Sequence, residues 1–197
     1  MGVESTPGYE LLYDIIRRRS SIRKLKPDPI PDEYIEKILE AGRWAMSGAT
    51  SQPWEYIVVV GDGRRQWGTV QGAHTFGRDQ SHLTDGLANT CTLMHLAAVS
   101  LGMATQWVTI HVQEPFKKVL GVPDLMMLYL IIPVGYAAVE PSEGVRRPLE
   151  EIVHHDHYDE SKFMSNERVI QFLYELRGKT LQTYRQSYVG KDDPKKN

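Results

Sequence analysis

The chain has 197 residues, of which 41% are hydrophobic and 24% are charged, and its formal net charge is −2. These values are typical of one soluble domain with a substantial core. Because the whole chain carries no positive excess, a nucleic-acid-binding protein is disfavoured. Cys91 is the only cysteine, so no intrachain disulfide can form and we expect a cytoplasmic protein.

Five basic residues lie within eight positions at the end of the first predicted helix. The sequence RRRSSIRK spans residues 17–24 and is called the basic segment below. Pro27 and Pro29 follow it and cannot continue a helix, so the segment marks a helix-to-loop junction. Three interpretations compete: a helix end whose cations favour its dipole, a nucleic-acid patch, or a site for one small anion. Guanidinium and hydroxyl groups are the donors that a phosphate prefers.

The middle of the chain predicts alternating elements. PIPDEYIEKILEAGRWA predicts a helix that begins near Pro31, and the β-branched run EYIVVVGDG predicts one strand. Residues 64–82 are polar and have no clear pattern. Residues 85–101 predict a long helix that is apolar nearly all round, and is therefore central, with Cys91 as a core thiol.

The second half predicts two more strands, MATQWVTI and MLYLIIPVGYA, on either side of a short helix ended by Gly121. The longest apolar run, residues 126–139, is shorter than the roughly 20 residues of a membrane span, so no membrane is expected. A last helix is expected from about Asn166 to Tyr188. Its apolar stripe is narrow and is better suited to packing on a partner protein than to forming a core. The predicted fold class is α+β, with helices packed on a mainly antiparallel sheet.

Small and hydroxylic residues follow Met46 and precede Gln52, just before a predicted strand. A loop of this kind lets the backbone approach a flat ligand closely. Core packing is favoured for Trp44 and Trp54, whereas Trp107 is open between core packing and ligand stacking.

Two other features of the sequence argue against a metal site and against a stably bound dinucleotide. Residues 154–157 read HHDH, but adjacent histidines on an irregular segment rarely converge on a metal, so a solvated tail is favoured. No glycine-rich dinucleotide or Walker motif is present, so a nicotinamide cofactor would be a transient substrate.

Three blocks together resemble the flavin-dependent nitroreductase family: RRSSIRKLKPDPIPDEYIEKILEAGRWAMSGATSQPWEYIVV, LGMATQWV and RRPLEEIVHHDHYDESKF. The resemblance covers roughly residues 9–163 in the same order. It implies a nitroreductase-like FMN-binding domain over residues 1–163 and a homodimer with two sites at its interface. Residues 164–197 exceed the family's minimal length, and we expect them to form a helical extension that packs on the dimer partner.

The resemblance also implies a set of cofactor-binding residues. In this family an Arg-x-Ser-x-Arg/Lys unit holds the FMN phosphate and ribityl chain, and here it corresponds to Arg19, Ser20, Ser21 and Arg23. A later basic residue that also reaches the phosphate corresponds to Arg146, with Arg147 as a close alternative. A loop contributed across the dimer interface corresponds to Met46, Ser47, Gly48, Thr50 and Gln52. The strand end that contacts the flavin ring, largely through backbone, corresponds to Gln106, Trp107, Val108 and Thr109.

Three of these positions depart from the usual family residues. Met46 stands where proline is usual, Thr50 where asparagine is usual, and Thr109 where glycine or glutamate is common. In the family, an asparagine in that loop often contacts the polar edge of the flavin. Because Thr50 stands at this position here, whether the contact is made is left open.

The function implied by the resemblance is an FMN-dependent oxidoreductase. It would pass electrons from NADH or NADPH to a flat acceptor, such as a nitroaromatic or a quinone, by a ping-pong mechanism. No catalytic acid or base is assigned. Alternatives on the same scaffold are dehalogenation, oxidation and flavin cleavage, with residues 64–84 and the C-terminal tail expected to shape the substrate pocket. Outside enzymes, the alternative is a flavin-binding or nucleic-acid-binding module without turnover.

Overall fold

The structure is a computed structural model that describes residues 5–56, 59–61, 79–140 and 146–188. The helices in these ranges are α1 (Pro7–Arg18), α2 (Asp32–Arg43), α3 (Asp79–Ser100), α4 (Glu114–Leu120) and α5 (Asn166–Tyr188). The strands are β1 (Trp54–Tyr56), β2 (Val59–Gly61), β3 (Ala104–Thr105), β4 (Val108–Thr109), β5 (Met127–Ile131) and β6 (Val134–Gly135). The chain divides into two units, Met1–Ala138 and Val139–Asn197.

The described strands form two antiparallel sheets in the first unit. One sheet has the order β1-β2-β5-β4, and the other pairs β3 with β6. Val108 lies opposite Ile131 in the larger sheet, and Ala104 lies opposite Gly135 in the smaller one. The predicted α+β class with a mainly antiparallel sheet is confirmed.

The prediction of MATQWVTI and MLYLIIPVGYA as single strands was wrong, because each contributes to both sheets. Pro133 divides the second segment, since proline has no N–H to donate to a strand ladder. The first segment breaks opposite it, where the Gln106 amide donates to the Pro133 carbonyl oxygen at 3.3 Å. As a result, Gln106 and Trp107 lie at the point where the chain leaves one sheet and enters the other.

EYIVVVGDG also differs from its prediction as one strand. It contributes β1 and β2, which pair with each other so that Tyr56 lies opposite Val59. A run of β-branched residues favours strand conformation at every position, but it does not determine where the chain reverses.

Helix α3 is the centre of the first unit, as predicted, although it begins at Asp79 rather than at residue 85. Leu87, Cys91 and Ala98 on this helix are fully buried, and burial raises the pKa of the Cys91 thiol to about 12. The prediction of a core thiol is therefore confirmed. Helix α2 packs closely on α3 at Gly42, whose carbonyl oxygen accepts a 2.9 Å hydrogen bond from the Thr90 hydroxyl.

Two tryptophans predicted to pack in the core have different outcomes. Trp54 is buried, whereas Trp44 is 72% exposed, so the prediction for Trp44 was wrong. Trp44 follows the last residue of α2 and lies beyond the buried face of that helix. Its indole donates to Glu40 Oε1 at 2.8 Å, and the Arg43 guanidinium lies 5.2 Å from its ring centroid.

The second unit contains α5, which spans the residues that its apolar periodicity predicted. Several of its apolar side chains are exposed, and a groove of about 430 Å³ is lined by Ile170, Leu173, Tyr174, Leu176 and Arg177. Among the described helices, none is both long enough and apolar enough for a membrane crossing.

Candidate functional site

The basic segment leaves α1 and runs along the edge of the smaller sheet. Ser21 forms a parallel bridge with Thr105, and the Ile22 amide donates to the Thr105 carbonyl oxygen at 3.0 Å. Ile22 is buried, so an apolar anchor holds the segment against β3. The structure thus brings Ser20 and Ser21 next to the strand-end segment, defined as residues 106–109.

The basic side chains fall into two groups. Arg18 pairs with Asp14 of its own helix at 2.7 Å, and Arg17 lies over the Tyr13 ring at 5.9 Å. Both therefore interact along α1, as expected for helix-end residues. Arg19 follows the last residue of α1 and is half-buried, and no carboxylate pairs with it in the part of the chain that the structure describes.

Ser20 supports the anion interpretation with an independent observation. Its Oγ atom is buried and has no hydrogen-bond partner among the described residues. A buried hydroxyl without a partner is unusual in a folded protein and calls for an explanation. Arg19 directly precedes Ser20 in the sequence, and guanidinium and hydroxyl groups are donors that a phosphate monoester prefers, so the residue types fit the FMN phosphate.

The strand-end segment is partly open. Gln106 and Val108 are half-buried, and Trp107 and Thr109 are exposed. The Trp107 ring meets the Tyr129 ring edge-on, with centroids 5.8 Å apart. The segment therefore combines partly exposed residues with one aromatic ring that packs on a neighbouring ring, which suits a flat ligand.

His95 is a residue of this region that sequence reasoning missed. It lies on α3 and is 4% exposed, and its Nδ1 atom is 2.7 Å from Thr105 Oγ1. Burial, and secondarily the Arg19 charge, lowers the pKa of His95 to about 4. The available signal was an imidazole within the apolar run LMHLAAV of α3, which does not identify the partner of the imidazole.

The loop from Met46 to Gln52 packs on an earlier part of α3. Ser47 Oγ accepts a hydrogen bond from the Gln52 amide at 3.0 Å, and Asn89 Nδ2 donates to the Met46 carbonyl oxygen at 3.1 Å. Gly48 begins a single 3-10 turn, and Thr50 and Gln52 both have positive φ, +55° and +44°. Positive φ is strained for side-chain-bearing residues and is concentrated at functional sites.

The loop and the strand-end segment contact different stretches of α3. Asn89 and His95 are six residues apart, which corresponds to about 9 Å along the helix axis. Contribution of the loop to a partner's site stays a prediction.

Arg146 and Arg147 belong to the second unit. Arg147 donates to the Glu151 carbonyl oxygen at 3.2 Å and lies 5.8 Å from the Phe172 ring centroid. Arg147 is thus engaged within its own unit. Arg146 is exposed. A contact of either residue with the phosphate stays a prediction, as does the domain boundary expected after residue 163.

The histidine-rich segment has contacts of its own. The His154 ring stacks on Tyr158 with centroids 4.4 Å apart, and its Nδ1 accepts a hydrogen bond from the Asp159 amide at 2.9 Å. Within the described ranges, no group of three potential metal ligands comes together. Most of residues 64–84, the predicted substrate-pocket segment, lies outside those ranges.

Comparisons with known proteins agree with the motifs. The model of the Nitroreductase family matches residues 16–71. A relative from Methanothermobacter thermautotrophicus, provisionally named NADH dehydrogenase/NAD(P)H nitroreductase, is 26% identical over 153 residues. That alignment covers 66% of this chain and 79% of the relative.

Solved structures share the fold. A nitroreductase family protein from Streptococcus pneumoniae superposes with a TM-score of 0.63 at 15% identity, over 73% of this chain and 98% of that one. NfrA1 from B. megaterium superposes with a TM-score of 0.70 at 17% identity, over 89% and 87% respectively. The α+β chain therefore has the nitroreductase fold. Its resemblance to the nitroreductase family, predicted from the motifs, is confirmed.

Proposed function

We propose that the protein is an FMN-dependent NAD(P)H oxidoreductase that reduces flat acceptors of the nitroaromatic or quinone type. The observation that carries the proposal is the buried Ser20 hydroxyl, which has no hydrogen-bond partner among the described residues and lies in the chain between Arg19 and the bridge from Ser21 to Thr105 of β3. The family resemblance and the name of the archaeal relative support the same activity.

In this proposal the protein binds and orients its ligands. Arg19, Ser20, Ser21 and Arg23 would hold the phosphate and ribityl chain by charge-assisted hydrogen bonds, with Arg146 as a further contact. Gln106, Trp107, Val108 and Thr109 would lie along the ring, and the partner's loop from Met46 to Gln52 would cover it. Bound FMN supplies the hydride and electron chemistry, so no side chain is required to act as an acid or base.

The proposal is tested by the absorbance spectrum of the purified protein, followed by acid release of its chromophore. We expect noncovalent FMN, and anaerobic bleaching by NADH or NADPH. Recovery of FAD, or no flavin even after reconstitution, would contradict the proposal. A colourless protein with salt-sensitive retention on DNA would instead favour a nucleic-acid-binding module.

A further inference from the structure

Thr105 joins the two parts of the proposed FMN site. Its backbone carbonyl oxygen accepts from the Ile22 amide at 3.0 Å, and Ser21 bridges it from the basic segment. Gln106 follows Thr105 directly and begins the strand-end segment. A shift at Thr105 would therefore change the spacing between the residues proposed for the phosphate and those proposed for the ring.

The side chain of Thr105 is held by a hydrogen bond to α3. Thr105 is almost fully buried, and its Oγ1 atom lies 2.7 Å from Nδ1 of His95. Both groups are removed from water, so the loss of either partner leaves a buried polar atom unpaired. The hydrogen bond thus specifies one position of the β3 end relative to α3.

His95 also contacts Trp107, the aromatic residue of the strand-end segment. Its imidazole and the Trp107 indole are nearly parallel, at 20°, with centroids 6.0 Å apart. Tyr129 meets the same indole edge-on. Trp107 is therefore fixed between two rings even though it is partly exposed.

The remaining nitrogen of His95 has no partner. Nε2 is buried and makes no hydrogen bond to any described residue. Since burial and the nearby Arg19 charge lower the pKa of His95 to about 4, the imidazole is neutral near pH 7. A neutral ring adds no positive charge beside Arg19 and retains the hydrogen bond to Thr105.

We propose that His95 is a positioning residue, which holds Thr105 and Trp107 so that the basic segment and the strand-end segment bind one FMN molecule together. The inference rests on the proposed function. It assigns to α3 a role that goes beyond core packing, since the histidine connects the helix to both halves of the site.

The test is titration of the apo-protein with FMN, using variants that separate the contacts. His95→Phe keeps a ring against Trp107 but removes the hydrogen bond, and Thr105→Val removes the hydroxyl while keeping the shape. We expect each to weaken FMN binding about three- to tenfold, because one buried hydrogen bond is lost. The double variant should be little weaker than either single variant, since both remove the same bond.

Two further variants distinguish positioning from general stability. His95→Asn places an amide near the position of Nδ1, and it should bind FMN more tightly than His95→Phe does. Thr90→Val removes other hydrogen bonds of a buried α3 hydroxyl, those to the Gly42 carbonyl oxygen and to the Tyr56 hydroxyl. It should lower the melting temperature and leave FMN affinity unchanged.

The outcomes separate the inference from the proposed function. FMN affinity unchanged in His95→Phe and Thr105→Val, or lowered as much by Thr90→Val, would overturn the positioning role alone. A folded wild-type protein that binds no FMN would overturn the proposed function and, with it, this inference. If His95→Phe does not fold, the isosteric Thr105→Val carries the test.

Discussion

We expect His95 to make the free energy of unfolding depend on pH. Its pKa is about 4 in the folded protein, and unfolding returns the imidazole to about 6.5. As the pH falls below about 6.5, the unfolded chain therefore binds a proton that the folded chain does not. The free energy of unfolding should fall through this window, by about 2 kcal/mol between pH 7 and pH 5.

Urea unfolding at the two pH values measures this loss. His95→Gln should remove most of the pH dependence, whatever it does to stability at pH 7. The exposed His155 provides the matched control, because His155→Gln should retain the wild-type difference. An identical pH dependence in wild type and His95→Gln would show that His95 does not cause it.

Thr50 is a second residue with a measurable consequence. Its φ of +55° places a β-branched side chain in the left-handed region, where such residues are strained. Asparagine tolerates this region better, so Thr50→Asn should raise the free energy of unfolding by about 0.5–1 kcal/mol. Thr50→Ala should give no comparable gain, since alanine keeps a Cβ in the same conformation. Equal effects of the two substitutions in chemical denaturation would contradict the strain.

At the scale of elements, local signals predicted the helices well. The periodicity of α5 indicated where it begins, and Gly121 ends α4 in the left-handed conformation, with φ of +66°. These features depend on residues close together in the sequence. The start of α3 was placed late because its first turns are polar.

The strands were harder to predict because their limits depend on distant partners. Pro133 is visible in the sequence, but the matching break at Gln106 follows from pairing across the sheets. The proximity of Ser21 and Thr105, and the hydrogen bond from His95, arise in the same way. Residue types at the candidate site could therefore be proposed from motifs, whereas the histidine behind it could not.

Helix α5 should act in assembly rather than in cofactor binding. Its exposed residues Val169, Ile170 and Leu173 motivate this prediction. Removing residues 164–197 should weaken the dimer or alter acceptor preference, with little effect on FMN affinity. Analytical ultracentrifugation, an acceptor profile and an FMN titration measure the three quantities. A truncated protein with unchanged dimer affinity and acceptor profile would show that α5 serves neither purpose.

At the scale of the whole molecule, we expect a tightly associated homodimer. Leu11, Leu12 and Ile16 of α1 are exposed in the single chain, and exposed apolar surface of this kind marks interaction sites. Obligate interfaces often exceed about 2,000 Å² in total. Light scattering at micromolar concentration should give twice the mass of the chain, and a flavin-loaded monomer would contradict the prediction.

A charge introduced on α1 can locate the interface. Leu12→Glu should shift the protein toward the monomer, because a buried carboxylate without a partner is strongly unfavourable. Asp28→Lys, in the exposed loop after the basic segment, is the control and should leave the dimer intact.

The central claim is that the basic segment binds the FMN phosphate, and the most direct measurement is titration of apo-protein variants with FMN and riboflavin. Arg19→Ala and Arg23→Ala each remove a charge-assisted contact of about 1.5–3 kcal/mol, so FMN affinity should fall about tenfold to a hundredfold or more. Riboflavin has no phosphate and should lose far less. Arg18→Ala, whose guanidinium pairs with Asp14, is the control and should bind both flavins like the wild type. If Arg19→Ala and Arg23→Ala weakened the binding of both flavins equally, or of neither, the claim would be contradicted. The basic residues would then be better explained as cations that favour the dipole at the C-terminal end of α1.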